Sequence, residues 1–328
     1  MSPRPIEETA GSNYTAAMLR AISSTIAALV RWSGIGVLVR HTIARRRVSI
    51  LIYHDPTPEA FEQHLEYLSR RYNFVSLGQV VDAMGNGAWA DLPDRALVLT
   101  FDDGHVGNAK LVDLFARYGV KPTIYVCSQI ADTNRHFWFM DVDEPSKLMK
   151  LSNDERLAAL EEAGFQPTKD HEDRQALNAA EIERMRDVVD FAAHTQFHPI
   201  LPACSDEEAA LEIESSRTEI EQLSGQPCLD FSYPNGDYGD REVELARQAG
   251  YRSARTVDLG WNSARTDPFL LKALGTSDTA SINRLAGDLS GVSGWVARLK
   301  VGSLTGRHRQ AVRPSSRSRA AMFESSRT

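Results

Sequence analysis

Seven short runs of apolar and β-branched residues recur along the chain, and most of them are separated by segments with helical periodicity. Residues 59–71, for example, place Phe61, Leu65 and Leu68 on one face of a helix. A helix between successive strands is typical of a parallel sheet, because parallel neighbours need a long crossover connection. The predicted strands cover residues 48–53, 74–77, 96–101, 123–127, 190–193, 229–233 and 252–257.

Helix start and stop signals agree with this alternation. Ser205 to Glu208 is typical of a capping box at the start of a helix over residues 205–223, and Gly250 is a favourable stop for a helix over residues 240–249. Strands alternating with helices predict an α/β protein with a distorted, incomplete seven-stranded (β/α) barrel. In such barrels the functional side chains lie in the loops that follow the strands.

Two polar motifs follow predicted strands. Asp102 and Asp103 lie in Thr-Phe-Asp-Asp-Gly at the end of the third run, and His194 and His198 lie in His-Thr-Gln-Phe-His-Pro after the fifth. Consecutive residues leaving a strand point in different directions, so one carboxylate can bind a metal while the other faces a water molecule. Two histidines four residues apart share a face if the segment turns helically. Each motif alone could be an ordinary turn or surface loop, but together they favour a site for one divalent metal and one general base.

These motifs are similar to the first two motifs of the polysaccharide deacetylase family, also called the NodB-homology or carbohydrate esterase 4 family, which read TFDDG and H-[ST]-x-x-H-P. The resemblance covers about residues 48–277. It implies a hydrolase acting on a carbon–nitrogen bond, the N-acetyl amide of a sugar in a polysaccharide or glycan precursor. It also implies Asp102 as the general base and one divalent metal ion bound by Asp103, His194 and His198. The expected ion is Zn²⁺, with Co²⁺, Ni²⁺ or Mn²⁺ as alternatives.

A third stretch, residues 230–238, resembles the family's third motif, which lines the substrate groove. Many members carry an arginine two residues before the proline, where it orients the catalytic aspartate through an ion pair; this chain has Ser232 there. The same stretch is also a Pro-Asn-Gly turn. The resemblance implies that the substrate is contacted by Tyr233, Pro234 and Gly236.

The fourth and fifth motifs are less complete. Residues 257–262 resemble a D-x-x-x-W element, so Trp261 is either an apolar wall for a sugar ring or a core residue. The family's fifth motif often has a Leu-His pair whose histidine protonates the leaving amine, but residues 270–275 contain no histidine. His54, at the end of the first predicted strand, is the candidate replacement because imidazole transfers protons near neutral pH. The alternatives are Lys272 as the acid and a purely structural role for His54.

The distribution of charge predicts three regions. Residues 1–47 carry seven arginines against two glutamates, and residues 298–328 carry eight arginines or lysines against one glutamate, although the whole chain has a net charge of −7. We expect a basic, amphipathic helical segment over residues 1–47 and a deacetylase barrel over residues 48–280, with an insert at about 129–187. The helical part, residues 16–43, either lies in a membrane interface or packs on the barrel. We also expect a basic, disordered tail over residues 281–328.

Cysteine usage and hydropathy predict the compartment. Three cysteines without a CxxC pair exclude a disulfide framework. We find neither a convincing secretory signal nor an apolar run of about 20 residues that could span a bilayer. We therefore expect a cytoplasmic protein that does not bind nucleic acid. The basic arms favour peripheral contact with anionic lipid at the inner face of the membrane, and plain solubility is the alternative.

Four functions remain open at this level. Besides N-acetyl sugar deacetylation, the motifs allow another amide or C–N hydrolase acting on a small molecule. Ser232 and the absent fifth-motif histidine allow a catalytically weak sugar-binding protein. Two histidines and one carboxylate also suit a non-haem iron oxygenase, against which the spare Asp102 counts. Metal analysis combined with acetate release from N-acetylglucosamine oligomers would separate the four.

Overall fold

A closed barrel of parallel strands forms the centre of the protein, whose computed structural model describes residues 33–291. Strand β1 pairs with β3 on one side and with β8 on the other, and this double pairing closes the sheet. Strand β2 pairs only with the start of β3. The strands are β1 Ser49–Tyr53, β2 Asn73–Phe74, β3 Ala96–Phe101, β4 Thr123–Val126, β5 Asp190–Ala193, β6 Asp230–Ser232, β7 Ser253–Leu259 and β8 Leu271–Gly275.

The predicted barrel of seven strands is confirmed, but one of its members differs from the prediction. The run 74–77 is not a barrel strand, because Leu77 begins a helix that Ser76 and Gln79 cap reciprocally. The seventh barrel strand is β8, which the sequence analysis missed. Lys272 interrupts its apolar run, and no α-helix separates β8 from β7 to mark a new strand.

Helices cover the outside of the barrel. The longest described helix, α8, begins at the predicted capping box, where the Ser205 hydroxyl accepts the Glu208 N–H, and it ends at the left-handed Gly225. The helices are α1 Ile35–His41, α2 Pro58–Ser69, α3 Leu77–Gly85, α4 Val112–Tyr118, α5 Pro145–Leu148, α6 Asn153–Glu162, α7 Ala179–Met185, α8 Asp206–Ser224, α9 Asp240–Gln248 and α10 Ile282–Leu289.

Both faces of the sheet are buried, which explains why its strands are apolar runs rather than alternating patterns. On β1, Leu51 and Tyr53 belong to one buried cluster, while Ile50 and Ile52 belong to another. This period of two places successive side chains on opposite faces of the strand. Tyr53 also packs edge-on against Phe61 of α2, with ring centroids 5.2 Å apart.

The predicted insert between β4 and β5 folds over the barrel instead of extending away from it. It contains α5, α6 and α7, and its Trp138 and Leu160 pack against Ile200 and Ala203, which follow β5. The insert is therefore fixed beside the loop that carries His194 and His198.

The first residues of the predicted disordered tail are ordered, so the predicted boundary at residue 281 is wrong. Helix α10 begins at Ile282, buries Leu285 and Leu289, and packs against α1, α2 and β8. Burial of its apolar face stabilises this helix, although the polar composition of the stretch suggested disorder. The rest of the predicted tail, from residue 292, and residues 1–32 of the predicted amphipathic segment lie outside the described residues. Among residues 33–291, no helix is long and apolar enough to cross a bilayer.

Candidate metal centre and active-site groove

The two aspartates leave β3 through a tight turn. Asp103 has a left-handed backbone (φ 69°), and the next residue, Gly104, does too (φ 73°). A Cβ atom at Gly104 would lie 3.1 Å from Cγ2 of Val126, so a glycine fits both the conformation and the space. The turn directs the carboxylate of Asp103 towards the end of the barrel where β5 also ends.

The histidine loop after β5 does not turn helically. Thr195 and His198 both have left-handed backbones, with φ of 67° and 55°. The Thr195 hydroxyl donates to the His194 carbonyl and accepts the His198 N–H at 3.1 Å. His194 and His198 therefore come together through a compact loop, which the spacing alone did not reveal.

Asp103, His194 and His198 form a buried cluster with the dimensions of a metal site. Oδ1 of Asp103 lies 3.5 Å from Nε2 of His194 and 3.4 Å from Nε2 of His198. Ligand atoms about 2.1 Å from one tetrahedral ion lie roughly 3.4 Å apart. Oδ1 of Asp103 is buried without a hydrogen-bond partner, which is costly unless a cation compensates it. The donor set therefore fits a divalent metal.

Hydrogen bonding and burial hold these residues in the protonation state that ligands need. Nδ1 of His194 donates to the Ser232 carbonyl at 2.8 Å, which leaves Nε2 with its lone pair towards Asp103. Burial lowers the pKa of His194, and it lowers the pKa of His198 to about 4. Burial alone would raise the pKa of Asp103, but the hydrogen bond from His105 and the neighbouring imidazoles hold it well below its usual range.

Asp102 contacts an arginine that the sequence analysis did not identify. Nη2 of Arg255 lies 2.5 and 2.6 Å from the two carboxylate oxygens of Asp102 and 2.5 Å from the hydroxyl of Ser232. Arg255 lies on β7 in register with Ser232 on β6. The guanidinium that the third motif lacks at Ser232 therefore comes from the next strand. The available signal was an arginine within the predicted strand 252–257.

An open groove of about 490 Å³ brings five of the predicted site residues together. Its lining includes His54, Asp102, Asp103, His194 and His198. The other lining residues are Ile52, Phe139, Met149, Asn235, Val257, Gly275 and Thr276. We call this space the active-site groove.

The predicted insert contributes two side chains to the active-site groove, Phe139 and Met149. The Phe139 ring lies 4.7 Å from the ring of His198, and it also stacks on Phe137. Phe139 and Met149 therefore give the active-site groove apolar side chains of the kind that one of the two predicted roles expected from Trp261.

The structure does not bring Trp261 to the active-site groove. After β7 the chain runs back, and Asn262 pairs with Val48 at the start of β1, far along the strands from the carboxylates. Trp261 packs against the main hydrophobic cluster and beside Gly291, the residue that follows α10 by two positions. Of the two predicted roles for Trp261, this position matches that of a core residue.

The predicted substrate contacts of the third motif are also buried below the groove. The Tyr233 hydroxyl donates to the Phe269 carbonyl, and its ring stacks on Tyr238. Pro234 is buried, and a Cβ atom on Gly236 would lie 2.2 Å from Val257. The residue of this turn that lines the groove is Asn235, in a left-handed conformation (φ 57°).

His54 and Lys272 lie in different environments. His54 lines the groove, and its main chain is anchored on both sides: its N–H donates to Asp278 at 3.0 Å, and its carbonyl accepts from Asn108 at 2.8 Å. Lys272 is exposed on β8, and its backbone bonds to Asn262. The geometry supports His54 over Lys272 as the group that can reach a substrate.

A second group of metal-ligand residues, His136, Asp141 and His171, lies in the insert. The two imidazole rings are stacked with centroids 3.7 Å apart and planes 9° apart. A metal lies in the plane of each imidazole that binds it, so one ion cannot bind two parallel rings in this arrangement. Nδ1 of His136 instead lies 3.0 Å from the Asp141 carboxylate, as in an ordinary hydrogen bond.

Comparison with known proteins identifies similarities of sequence and fold. The sequence matches the model of the family described as polysaccharide deacetylase over residues 90–254, about half of the chain. No curated protein matches the sequence. The fold is similar to that of the Streptococcus pyogenes deacetylase PplD, solved in complex with acetate, at 20% identity and a TM-score of 0.55, covering 74% of this chain and 98% of that one.

Two further solved structures have similar folds. A de-N-acetylase from Aggregatibacter actinomycetemcomitans has 16% identity and a TM-score of 0.54, covering 74% of this chain and 99% of that one. IcaB from Ammonifex degensii has 15% identity and a TM-score of 0.53, covering 74% and 97%. At these identities the similarity concerns the fold.

Proposed function

This chain belongs to the polysaccharide deacetylase family, hydrolases of carbon–nitrogen bonds, and we propose that it removes the acetyl group from an N-acetylated sugar of a polysaccharide with the help of one divalent metal ion. The observation that carries the metal dependence is the buried Oδ1 of Asp103. It has no hydrogen-bond partner and lies within 3.5 Å of two imidazole nitrogens. We expect Zn²⁺, since one carboxylate and two neutral imidazoles are a common zinc ligand set.

Asp102 is the proposed general base. When bound, a divalent ion would polarise the acetyl carbonyl and lower the pKa of a water molecule. Asp103, His194 and His198 would hold that ion, and Asp102 would accept the proton of the attacking water. Arg255 keeps the Asp102 carboxylate in one orientation, because it contacts both carboxylate oxygens.

His54 is the proposed proton donor to the leaving amine. The family resemblance would place a Leu-His pair in β8, but the last residue of that strand, Gly275, has no side chain and open space above its backbone. Gly275 pairs with Ile52, two residues before His54. An imidazole directly after β1 can therefore occupy space that the neighbouring strand leaves free.

The shape of the groove supports a polymeric substrate. It is open to solvent, and its walls combine Phe139, Met149 and Val257 with the polar cluster. A chain of sugars can lie across such a groove, and apolar side chains can pack against sugar rings. Two of the alternatives lose support: Arg255 supplies a guanidinium beside Asp102, the group whose absence suggested a weak sugar-binding protein, and family membership disfavours an iron oxygenase. Another amide or C–N hydrolase acting on a small molecule stays an alternative.

Peripheral contact with the cytoplasmic face of the membrane stays a prediction. Most of the basic arms lie outside the described residues. Within the described part of the N-terminal segment, helix α1 exposes Ile35, Val37 and Leu38, and Arg45 and Arg46 follow it, both exposed and both paired with Asp94. This combination of apolar and basic side chains supports an affinity for anionic lipid.

The test of the proposed function combines metal analysis with acetate release. The purified protein should contain about one equivalent of divalent metal and release acetate from N-acetylglucosamine oligomers, and a chelator should stop the reaction until metal is restored. Asp103→Ala should lose both properties, whereas the exposed control Asp187→Ala should keep them. Acetate release that persists without metal would disprove metal dependence, and metal binding without acetate release would point to a different substrate.

A further inference from the structure

We propose that Glu212 of α8 is a positioning residue for the metal centre, and that its carboxylate sets how tightly His194 and His198 hold a divalent ion. This inference rests on the proposed function, because it assumes that the histidine cluster binds metal. Glu212 is not a ligand and is not among the residues that line the groove. It acts through the backbone of the loop between the two histidines.

Glu212 accepts two consecutive backbone N–H groups of that loop. Its Oε2 lies 2.8 Å from the nitrogen of Gln196 and 3.0 Å from the nitrogen of Phe197. The Glu212 side chain is buried, with an exposed fraction of 5%. Buried backbone N–H groups need acceptors, and the loop's carbonyls at Thr195 and Gln196 accept from the backbone N–H groups of Ser128 and Gln129, so they fix the loop from its other edge. The loop after β4 thus donates to the carbonyls of this segment, and Glu212 accepts two of its N–H groups.

The loop needs such support because its conformation is unfavourable on its own. Thr195 and His198 are neither glycine nor asparagine, yet both have left-handed backbones. Residues in this region persist only where the surrounding structure imposes it. The two N–H groups that Glu212 binds lie between these two residues, so the carboxylate acts at the centre of the strained segment.

The two histidines differ in how they are oriented, and this makes His198 the sensitive ligand. The His194 ring is fixed by the hydrogen bond from its Nδ1 to the Ser232 carbonyl. Nδ1 of His198 is buried without a hydrogen-bond partner. The position of the His198 ring therefore depends on its packing and on its main chain. That main chain is held by Trp138, whose Nε1 donates to the His198 carbonyl at 2.8 Å, and by the Thr195 hydroxyl, which accepts the His198 N–H at 3.1 Å. The segment that Glu212 binds leads directly into it.

Helix α8 is suited to hold this segment because it is long and binds the same loop twice. Glu219, two turns after Glu212, accepts the side-chain amide of Gln196 at 2.8 Å and the hydroxyl of Ser128 at 2.6 Å. Residues seven apart lie on the same face of a helix. The face of α8 that carries Glu212 and Glu219 thus connects the loops after β4 and β5.

The experiment compares Glu212→Gln with Glu214→Gln, an exposed glutamate on the other side of the same helix. Zn²⁺ affinity is measured by competition with a chromophoric chelator, and folding is monitored by circular dichroism and thermal unfolding. Glu212→Gln keeps the shape but loses the charge-assisted hydrogen bonds. We expect it to bind Zn²⁺ about 10- to 100-fold more weakly, the usual effect of removing a group that supports a metal ligand. Glu214→Gln should bind Zn²⁺ like the unmodified protein.

Glu212→Asp keeps the charge on a shorter side chain and provides a second variant if the glutamine protein does not fold. Its Zn²⁺ affinity should fall between those of the unmodified protein and Glu212→Gln. A folded Glu212→Gln or Glu212→Asp protein with unchanged Zn²⁺ affinity and only a lower melting temperature would overturn the inference and leave the metal centre intact. Absence of Zn²⁺ binding in the unmodified protein would instead refute the proposed function on which the inference rests.

Discussion

Arg255 of β7 and Asp102 of β3 form a buried ion pair across the interior of the barrel, with Nη2 2.6 Å from Oδ2, although 153 residues separate them. The same guanidinium contacts Ser232, the position at which the third motif lacks its arginine. The guanidinium beside Asp102, the proposed general base, thus comes from β7, the strand next to the one on which the third motif would place it.

Arg255→Met should strongly impair turnover while leaving metal content intact. Without the guanidinium, the Asp102 carboxylate loses its orientation and becomes an unpaired buried charge, which costs about 3–5 kcal/mol of stability. We expect turnover per folded molecule to fall at least about 100-fold, in the range of a lost general base. The control is Arg252→Met, which removes an exposed ion pair with Asp82. If the double variant Ser232→Arg/Arg255→Ser recovers part of the turnover, the location of the guanidinium beside Asp102 matters and the strand that carries it does not. Full turnover of Arg255→Met would refute the proposed role of Arg255.

The variants Asp102→Asn and Asp103→Asn should distinguish the general base, proposed to be Asp102, from the metal ligand, proposed to be Asp103. Asp102→Asn should retain about one equivalent of metal and lose nearly all acetate release, because an amide cannot accept the proton of the attacking water. Asp103→Asn should weaken metal binding, because a neutral amide oxygen replaces the charged oxygen that lies 3.4–3.5 Å from both imidazoles. Metal analysis and acetate release on the same preparations distinguish the two. An empty site in Asp102→Asn would mean that the roles were assigned wrongly.

His54→Ala should reduce acetate release by roughly 10²- to 10⁴-fold, the contribution of a positioned general acid. The metal content should not change, since His54 is outside the cluster that fits a metal. The pH–rate profile should lose the limb that reports the acid. Lys272→Ala, on the exposed side of β8, is the control and should keep its activity. A His54→Ala protein with a lower melting temperature and normal turnover would make His54 a structural residue.

Asp230 should make the protein less stable at neutral pH than at acidic pH. Burial raises the pKa of this carboxyl to about 6, above the value of 3.8 expected in the unfolded chain, although the Ser253 hydroxyl donates to it. The folded state therefore binds this proton more tightly. The free energy of folding that this protonated carboxyl contributes is fully present below about pH 3.8 and is lost as the pH rises towards 6.

Asp230→Asn should remove this pH dependence. At pH 7.5 we expect the variant to be more stable by up to about 3 kcal/mol, the equivalent of a shift of roughly two pKa units, with little difference near pH 3.5. Urea unfolding at the two pH values measures the effect, and Asp187→Asn, an exposed aspartate, is the control. A variant that is less stable at pH 7.5 would mean that the carboxylate is stabilised by interactions stronger than its burial penalty.

The local sequence determined where most strands end and which polar residues follow them. The run 190–193 matches β5 residue for residue, and Asp102, Asp103, His194 and His198 lie where the predicted strands stop. These features follow from the sequence because apolar runs and turn residues are short-range properties. In a parallel barrel, all the strand ends meet on one side, so residues at those ends come together without further information.

Only the tertiary structure decided which side chains face the groove and which strands close the barrel. The pairing of Arg255 with Asp102 depends on the register between β6 and β7, and the closure by β8 depends on β1 lying beside it. Tyr233 and Trp261 are in stretches similar to substrate-binding motifs, yet Tyr233 is buried in the core and Trp261, which is partly buried, packs against it. Register and side-chain direction are set by contacts between residues far apart in the chain, and a one-residue change in either would move a side chain to the opposite face.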